Sequence, residues 1–301
     1  MNAPLPAQQP AEPPWYYKDH SFEVGLTRRG EGPTALLLPA LSTISTRGEM
    51  APLQACLAPH FATVAVDWPA FGVAPKPKLA WSPEGLADFL RHLFDEVVPA
   101  PALVVAAGHG AGYLLRHLQR RPADLTRGVL IAPTWRGPFP TMLGKRPEWL
   151  ATVRRTIDTP VIGPAGYALN VSPPMIRRMT RGHVYADPNW LTGERLAAKR
   201  AVTQSRGARH ASVRFVTGAL DPFDAAAAFV AAAKGLEDRL QVIYGEQTPP
   251  KSKAEMETLA AALTTPTTVI PRAKLAVHEE FPDPVAQAIL AFVGESGSSG
   301  A

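Results

Sequence analysis

The sequence of 301 residues contains one cysteine, Cys56. A single thiol cannot form a disulfide within the chain, so an internal disulfide framework is excluded and a reducing compartment is expected. No apolar run approaches the roughly 18–20 residues of a membrane-spanning helix. The first stretch, MNAPLPAQQPAEPPWYY, has neither the basic start nor the apolar segment of a secretory signal. These absences predict a cytoplasmic protein without a transmembrane segment.

Motifs for several ligands are missing as well. No cluster of cysteine and histidine has the spacing of a metal site, and no cofactor is expected. The segment GHGAG at residues 108–112 lacks the lysine of a P-loop and the spacing of a dinucleotide-binding fingerprint. Basic residues are not interleaved with stacking aromatic residues, so nucleic acid is not expected as a partner.

Charge is distributed unevenly along the chain. The formal net charge is +5, yet residues 136–214 contain 14 Lys and Arg against 4 Asp and Glu. This segment therefore has a charge of +10, and the rest of the chain has a charge of −5. A basic insertion in an acidic body predicts a module with its own surface role. Three interpretations stay open: a solvated face, a dock for an acidic membrane or protein partner, and a lid over an anionic ligand.

Short apolar runs alternate with amphipathic stretches. The apolar runs predict strands buried on both faces of a parallel sheet, at residues 21–27, 34–39, 61–67, 102–108, 128–133, 240–245 and 267–271. The amphipathic stretches predict helices at residues 47–58, 84–98, 111–121, 252–263 and 283–293. This alternation indicates a doubly wound α/β fold with a mostly parallel sheet.

The spacing of these elements also predicts the domain organisation. About 100 residues separate the strands that begin at 128 and 240, and so long a connection predicts a cap over the carboxyl ends of the strands. The predicted core has two parts, residues 21–135 and 214–294, and the basic helical cap between them spans residues 136–213. A flexible N-terminal arm is expected at residues 1–20 and a flexible tail at residues 295–301.

Three sequence marks carry a resemblance to a known superfamily. DWPAFG at 67–72 is similar to a D-x-P-G-F-G motif, and GHGAG at 108–112 is similar to the G-x-nucleophile-x-G turn between a strand and a helix. HEEFPD at 278–283 is similar to a closing segment before the last helix. With these marks in this order, the chain resembles the α/β-hydrolase superfamily over about residues 21–295. The resemblance implies an α/β-hydrolase fold with a pocket between sheet and cap.

The resemblance also implies where a Ser-Asp-His triad would lie. Gly110 stands at the nucleophile position, Thr248 at the acid position and Leu275 at the histidine position. None of the three can supply its chemistry, because the nucleophile needs a reactive side chain and the base needs a carboxylate to fix its tautomer. We expect Gly110 to adopt the strained backbone of the turn without the cost that a side chain adds.

Other residues are implied to surround the pocket. The amide of Ala111, which follows the turn centre, and the loop at Ala40 and Leu41 would form the floor that binds an oxyanion. Trp135 and Arg136 open the cap and are expected at the pocket mouth, either as a binding surface or as a cover for the hinge.

Two residues are candidates for displaced catalytic groups. His278 lies three residues after the expected histidine position, and it is interpreted either as a general base or as a structural side chain beside Glu279 and Glu280. Asp221 in GALDPFD is either a substitute acid or a turn or helix cap. His109 is interpreted as a structural side chain beside the strand tip.

Three functional hypotheses follow from these residues. The first is a member without hydrolytic activity that binds an unknown small ligand or a protein partner between core and cap. The second is an enzyme of lyase or oxygenase type that uses His278 and Asp221. The third is an esterase-like hydrolase with a rearranged triad. A carboxylate within hydrogen-bond reach of His278, beside Gly110, would favour the enzymatic hypotheses.

Overall fold

The apolar runs of the sequence form the centre of a seven-stranded sheet. The computed structural model describes residues 12–294 of the chain. The sheet has the strand order β3-β5-β4-β6-β7-β8-β9, in which β3 is antiparallel to β5 and all other neighbours are parallel. With a separate two-stranded hairpin, the strands are β1 Trp15–Tyr17, β2 His20–Phe22, β3 Leu26–Arg29, β4 Thr34–Leu38, β5 Ala62–Val66, β6 Leu103–Ala107, β7 Gly128–Ile131, β8 Leu240–Gly245 and β9 Thr267–Ile270.

Helices fill the connections between these strands. They are α1 Ala51–Leu57, α2 Pro83–His92, α3 Gly108–Leu118, α4 Pro138–Leu143, α5 Trp149–Asp158, α6 Ile162–Asn170, α7 Pro173–His183, α8 Gly193–Gln204, α9 Ala208–Val216, α10 Ala226–Ala231, α11 Pro250–Leu263, α12 Val277–Glu280 and α13 Pro282–Gly294. In the core, α1 packs beside α13 and α2 packs beside α3, which gives the layered arrangement of a doubly wound fold. Among residues 12–294, no helix has the length and apolar content needed to cross a bilayer.

The continuous hydrophobicity of the central strands is explained by their burial. Every residue of β6, β7 and β8 is buried, because helices cover both faces of the sheet. The parallel register pairs Leu38 of β4 with Ala106 of β6, so the loops that follow these two strands leave the sheet side by side. This shared edge is where ligands of open α/β sheets bind.

The segment between β7 and α10 contains the helices α4 to α9 and is called the cap here. Its helices α5, α6, α8 and α9 contact one another, and part of it has a small apolar core of its own around Tyr185 and Leu196. The cap extends further than residues 136–213, because α9 continues to Val216 and packs against α5. Ala276, from the core loop after β9, completes the small core and so joins the cap to the body.

Part of the N-terminal arm predicted at residues 1–20 is folded in the structure. Residues 1–11 and the predicted tail at 295–301 lie outside the described part of the chain. Residues 15–22 form a hairpin whose turn residues Lys18 and Asp19 both have positive φ, as a tight two-residue hairpin turn requires. Trp15 is 2% exposed and its indole donates to Asp88 at 3.0 Å. The segment WYYKDH is thus part of the folded body.

Some element boundaries also differ from the prediction. The strand expected at 21–27 is divided into β2 and β3, and the helix expected at 84–98 ends as α2 followed by a π-helical turn at Leu93–Val97. The helix expected from residue 111 begins three residues earlier, at Gly108. This last difference decides the geometry of the candidate site.

Candidate functional site

The turn between β6 and α3 has its left-handed backbone at Gly108. Gly108 has φ +51° and follows the last strand residue, Ala107, directly. In a nucleophile elbow the strained residue stands at that point, between strand and helix. The sequence resemblance predicted this strained conformation at Gly110, whereas the structure has it two residues earlier, at Gly108. Accordingly, the amide that follows the strained residue belongs to His109, and Ala111 lies buried in the first turn of α3.

Gly110 has a different role in the structure. A Cβ at this position would lie 2.8 Å from the carbonyl oxygen of Pro39 and 3.6 Å from the ring of Trp68. The same carbonyl accepts a hydrogen bond of 3.0 Å from the Trp68 indole. Glycine at 110 thus permits α3 to approach the end of β4 closely. The space beside Gly108 is lined by Ala40, whose Cβ would lie 3.1 Å from a Cβ at Gly108.

A buried glutamate binds one of the predicted oxyanion donors. The amide of Ala40 donates to the Oε1 of Glu49 at 2.6 Å, and Glu49 is 4% exposed. The second loop residue, Leu41, is buried in the apolar core. The floor beside the elbow is therefore occupied by a carboxylate from the segment before α1, which sequence reasoning did not identify.

The end of β5 holds the segment that carries Glu49. Asp67, from DWPAFG, accepts hydrogen bonds of 2.7 Å from the hydroxyl of Thr46 and from the amide of Arg47. The guanidinium of Arg47 also forms an ion pair with Asp67. These contacts fix the turn at Arg47–Met50 and direct Glu49 towards Ala40.

The neighbours of the buried Glu49 favour its ionised form. Burial opposes ionisation, but the close approach of His278 and the charge of Lys199 outweigh it and lower the pKa of Glu49. The Nε2 of His278 lies 3.5 Å from the Oε1 of Glu49, and the Nζ of Lys199 lies 4.0 Å from its Oε2. A carboxylate thus lies close to His278, beside Ala40 and the elbow. Neither ring nitrogen of His278 has a properly aligned hydrogen-bond partner among the described residues.

The residues that follow His278 bind the cap. The Oε2 of Glu279 accepts from the hydroxyl of Tyr185 at 2.8 Å and from the Nζ of Lys199 at 3.1 Å. The carboxylate of Glu280 accepts from the amides of residues 186 and 187, at 2.8 and 2.7 Å. The HEE segment therefore joins the core to the cap through side chains, and its histidine contacts a carboxylate instead of the backbone.

His109 and Asp221 form a second buried pair. The Nε2 of His109 lies 3.2 Å from the Oδ1 of Asp221, and its Nδ1 lies 2.8 Å from the hydroxyl of Thr134. Asp221 also accepts from the amide of Gly137 at 2.7 Å and from Arg146 at 2.7 Å. All of these polar groups have partners within the protein, and Asp221 follows α9 in the cap, not the strand that usually carries the acid. This pair connects the end of the cap to α3.

The predicted pocket-mouth residues are enclosed by side chains. Trp135 is 6% exposed, and the guanidinium groups of Arg136 and Arg146 lie 5.1 and 5.7 Å from the centre of its ring. Arg136 also forms an ion pair with Glu255, and burial raises the pKa of Glu255 although Arg136 opposes the shift. The guanidinium expected to attract an anionic ligand thus has an internal carboxylate partner.

The remaining triad positions carry no ionisable group. Thr248 is 3% exposed, and its hydroxyl has no hydrogen-bond partner among residues 12–294. Leu275 packs against the apolar core from the loop after β9. The structure therefore brings together Glu49, His278 and Lys199 near the elbow and does not join Thr248 or Leu275 to them through any polar contact.

The sequence does carry a signal for these buried charges. Glu49 lies four and eight residues before Leu53 and Leu57, which are buried on the inner side of α1. Lys199 stands likewise between Leu196 and Val202 on the buried side of α8. A charged residue on the apolar side of a helix indicates a buried ion pair, because an unpaired charge there is too costly.

A model of the alpha/beta hydrolase family matches residues 36–288. Among the curated proteins, none matches the sequence.

Several solved structures share the fold at low identity. A thermophilic esterase from Thermogutta terrifontis with malate bound has 16% identity and a TM-score of 0.69, covering 93% of this chain and 96% of its own. A putative ancestral haloalkane dehalogenase has 16% identity and a TM-score of 0.69, covering 95% and 99%. A meta-cleavage product hydrolase from Pseudomonas fluorescens IP01, complexed with acetates, has 16% identity and a TM-score of 0.63, covering 91% and 95%. These similarities confirm the predicted fold class.

Proposed function

The chain belongs to the alpha/beta hydrolase family, and from that premise we propose that it is a non-hydrolytic member. In this proposal it binds a small hydrophobic or anionic molecule between the sheet and the cap and does not cleave an ester. The neighbouring esterase and dehalogenase share only its fold. The distinction therefore depends on this chain's own residues at the elbow.

The observation that carries the proposal is the hydrogen bond from the Ala40 amide to Glu49. Acyl transfer needs amide donors that are free to stabilise a developing negative charge. Here that amide already serves a buried, ionised carboxylate. An oxyanion about 4 Å from Glu49 would be repelled by about 4 kcal/mol at an effective dielectric constant of about 20. Such a repulsion alone would slow hydrolysis by about 10³-fold.

The elbow supports the same conclusion. Gly108 carries the left-handed backbone but no side chain, and Gly110 is packed against Pro39. Neither glycine can attack a carbonyl carbon. The proposal therefore does not depend on which of the two is aligned with the family's nucleophile.

Labelling with a fluorophosphonate probe and turnover of p-nitrophenyl acetate test the absence of hydrolysis. We expect no labelling and no turnover above the buffer rate, with an ordinary serine hydrolase as the positive control. A Gly108→Ser variant is the matched control for the elbow, and it should stay unlabelled because the amide of Ala40 is already bonded to Glu49 and cannot stabilise an oxyanion. Strong labelling of the native chain at any residue would contradict the proposal.

Native mass spectrometry of the purified chain tests the binding function. We expect a retained molecule of defined mass that is released on denaturation. If the chain retains nothing, and no small hydrophobic or anionic compound raises its melting temperature, the ligand-binding proposal is wrong. A protein partner then becomes the better explanation of the surviving fold.

A second candidate function is favoured by the state of His278. Both of its ring nitrogens are buried without an aligned hydrogen-bond partner among the described residues, and Glu49 lies 3.5 Å away. Such a histidine could take a proton from a bound molecule, with Glu49 stabilising the imidazolium. Incubating the chain with its retained molecule in D₂O tests this: a base would introduce deuterium into the molecule, and His278→Ala would abolish the exchange. No deuterium uptake would leave only the binding function.

A further inference from the structure

The cap exposes an apolar helix to solvent. Two apolar side chains on α6 are largely exposed, Ile162 at 64% and Leu169 at 72%. Val161, the residue before the helix, is 79% exposed. Ile162 and Leu169 are seven residues apart and therefore lie on one side of the helix, together with the exposed Ala165 and Gly166. A helix of a globular protein normally turns such a side towards the core. In α6 this arrangement is reversed.

The inner side of α6 already satisfies the packing of the cap. Gly163 is buried against the carbonyl group of Ile157 on α5, and Tyr167, one turn later, is partly buried with its hydroxyl enclosed. The helix also packs against α7 and α9. The outer apolar side chains are therefore not needed to hold α6 in place.

The neighbouring helix α7 carries positive charge beside this apolar surface. Residues 159–176 contain no charged residue, and residues 159–186 contain no Asp or Glu. Arg177, Arg178 and Arg181 on α7 are exposed, and none of them forms an ion pair within residues 12–294. Exposed apolar and basic side chains thus alternate along the outer side of α7, which also carries Met175 and Met179 at 36% and 43% exposure.

We propose that this surface docks the protein on an anionic lipid bilayer. The α6–α7 face is defined by the apolar residues Val161, Ile162, Leu169, Met175 and Met179 and the arginines Arg177, Arg178 and Arg181. The apolar side chains enter the boundary between headgroups and acyl chains, and the arginines pair with lipid phosphates and carboxylates. The attachment is peripheral, because no helix of the described chain is long and apolar enough to span the bilayer.

A bilayer fits this face better than a protein does. Three apolar side chains that are more than 60% exposed protrude from a single turn-and-helix segment, whereas protein partners need a packed, complementary patch. In a symmetric dimer through this face, the same arginines of two copies would approach one another without an acidic partner nearby. A fluid bilayer with anionic headgroups accepts separate protruding side chains and complements their charge.

Vesicle flotation with the full chain tests the proposal. The vesicles are phosphatidylcholine alone or phosphatidylcholine mixed with phosphatidylserine. We expect the native chain to float with the mixed vesicles, to stay largely unbound with the neutral ones, and to dissociate as salt is added. The double variant Ile162→Asp with Leu169→Asp should lower the partition coefficient at least about tenfold. Arg177→Glu with Arg178→Glu should lower it by at least about tenfold too.

Matched variants elsewhere on the surface separate this face from general effects. Val73→Asp changes an apolar side chain that is 49% exposed and lies on the body of the protein, outside the cap. Arg120→Glu with Lys234→Glu changes the net charge by the same amount on exposed positions of the body. Both controls should bind mixed vesicles within about twofold of the native chain.

Each alternative outcome is decisive. If the native chain does not float with mixed vesicles at low salt, or if the controls lose binding equally, docking through this face is wrong. Equal binding to neutral and mixed vesicles would overturn the role of the arginines. Absence of vesicle binding together with a dimer that Ile162→Asp and Leu169→Asp dissociate would assign the face to a second copy of the chain. These results do not depend on whether a small molecule binds at the elbow.

Discussion

Replacing Glu49 by glutamine tests the polar cluster beside the elbow. Glutamine keeps the size of the side chain and an oxygen that can accept from the amide of Ala40, but it removes the charge that faces Lys199 and His278. The carboxylate is 4% exposed and Lys199 is equally buried, so solvent cannot replace the lost partner. Breaking a buried ion pair by removing one member commonly costs about 3–5 kcal/mol.

The remaining contacts of Lys199 reduce this cost. Its Nζ stays 3.1 Å from Glu279, which is the shorter of its two ion pairs, while the distance to Glu49 is 4.0 Å. We therefore expect Glu49→Gln to lower the free energy of unfolding by about 3 kcal/mol at pH 7, at the lower end of that range. Glu84→Gln is the matched control, because Glu84 is 74% exposed and pairs with Arg116 at 3.0 Å. A surface pair of this kind contributes about 0–1 kcal/mol.

The pH dependence gives a second, independent readout. The pKa of Glu49 is lowered from its ordinary value of 4.5 in the folded state. Its contribution is therefore complete above about pH 4.5 and is lost as the pH falls through the folded-state pKa. Urea unfolding at several pH values should show the difference between the native chain and Glu49→Gln shrinking on acidification. Equal stability at pH 7, or two parallel pH curves, would show that the carboxylate is not paired as described.

Three further outcomes follow from other regions. Gly110→Ala should lower the free energy of unfolding by about 1–3 kcal/mol, because its Cβ would lie 2.8 Å from a backbone carbonyl oxygen. Gly182 has open space around it, so Gly182→Ala is the control and should be neutral or slightly stabilising in the same thermal melt. Trp15→Ala should cost about 3 kcal/mol in urea unfolding, because the ring is buried against Phe89; no loss would return the N-terminal hairpin to a loose arm. Burial lowers the pKa of Lys76 to about 8 from 10.5, so stability should rise relative to Lys76→Met between these pH values, and an unchanged difference would refute the shift.

The sheet could be predicted because its signal is local. Strands β6, β7 and β8 are buried on both faces, and a run of consecutive apolar residues identifies such strands without knowledge of their neighbours. The hairpin at Trp15 was not predicted, because its stability comes from packing against Phe89, which is 74 positions away in the sequence. Burial by a distant helix leaves no mark in a short stretch of proline-rich sequence.

The sequence alone could not determine which glycine is at the centre of the elbow. In the elbow motif, small residues stand two positions before and two positions after the nucleophile. The segment AAGHGAG has glycine at every second position from residue 108, so either Gly108 or Gly110 can be taken as the nucleophile position. Side chains do not distinguish the two solutions, because both centres are glycine. The end of β6 at Ala107 and the left-handed φ at Gly108 distinguish them, and both depend on the pairing of β6 with its neighbours.

The candidate cluster was missed because its members come from distant segments. Glu49 precedes α1 and His278 lies after the last strand, and the two meet where α12 packs against the turn at Arg47–Met50. Lys199 reaches them from a cap helix. The sequence could indicate that each charge stands among buried residues, but it could not show which partner each charge has. Long-range pairing of this kind is set by the tertiary fold and not by spacing.

The contacts of the HEE segment with the cap bear on the proposed function. In the resemblance it follows the catalytic histidine, whereas here His278 contacts Glu49, Glu279 binds Tyr185 and Lys199, and Glu280 binds backbone amides of the cap. Opening the cap would therefore break several of these contacts at once, and each contact that is lost adds to the barrier. An enzyme with rapid turnover must release product through repeated opening, so a cap held by this many ionic contacts favours a ligand that is retained over one that is converted and released.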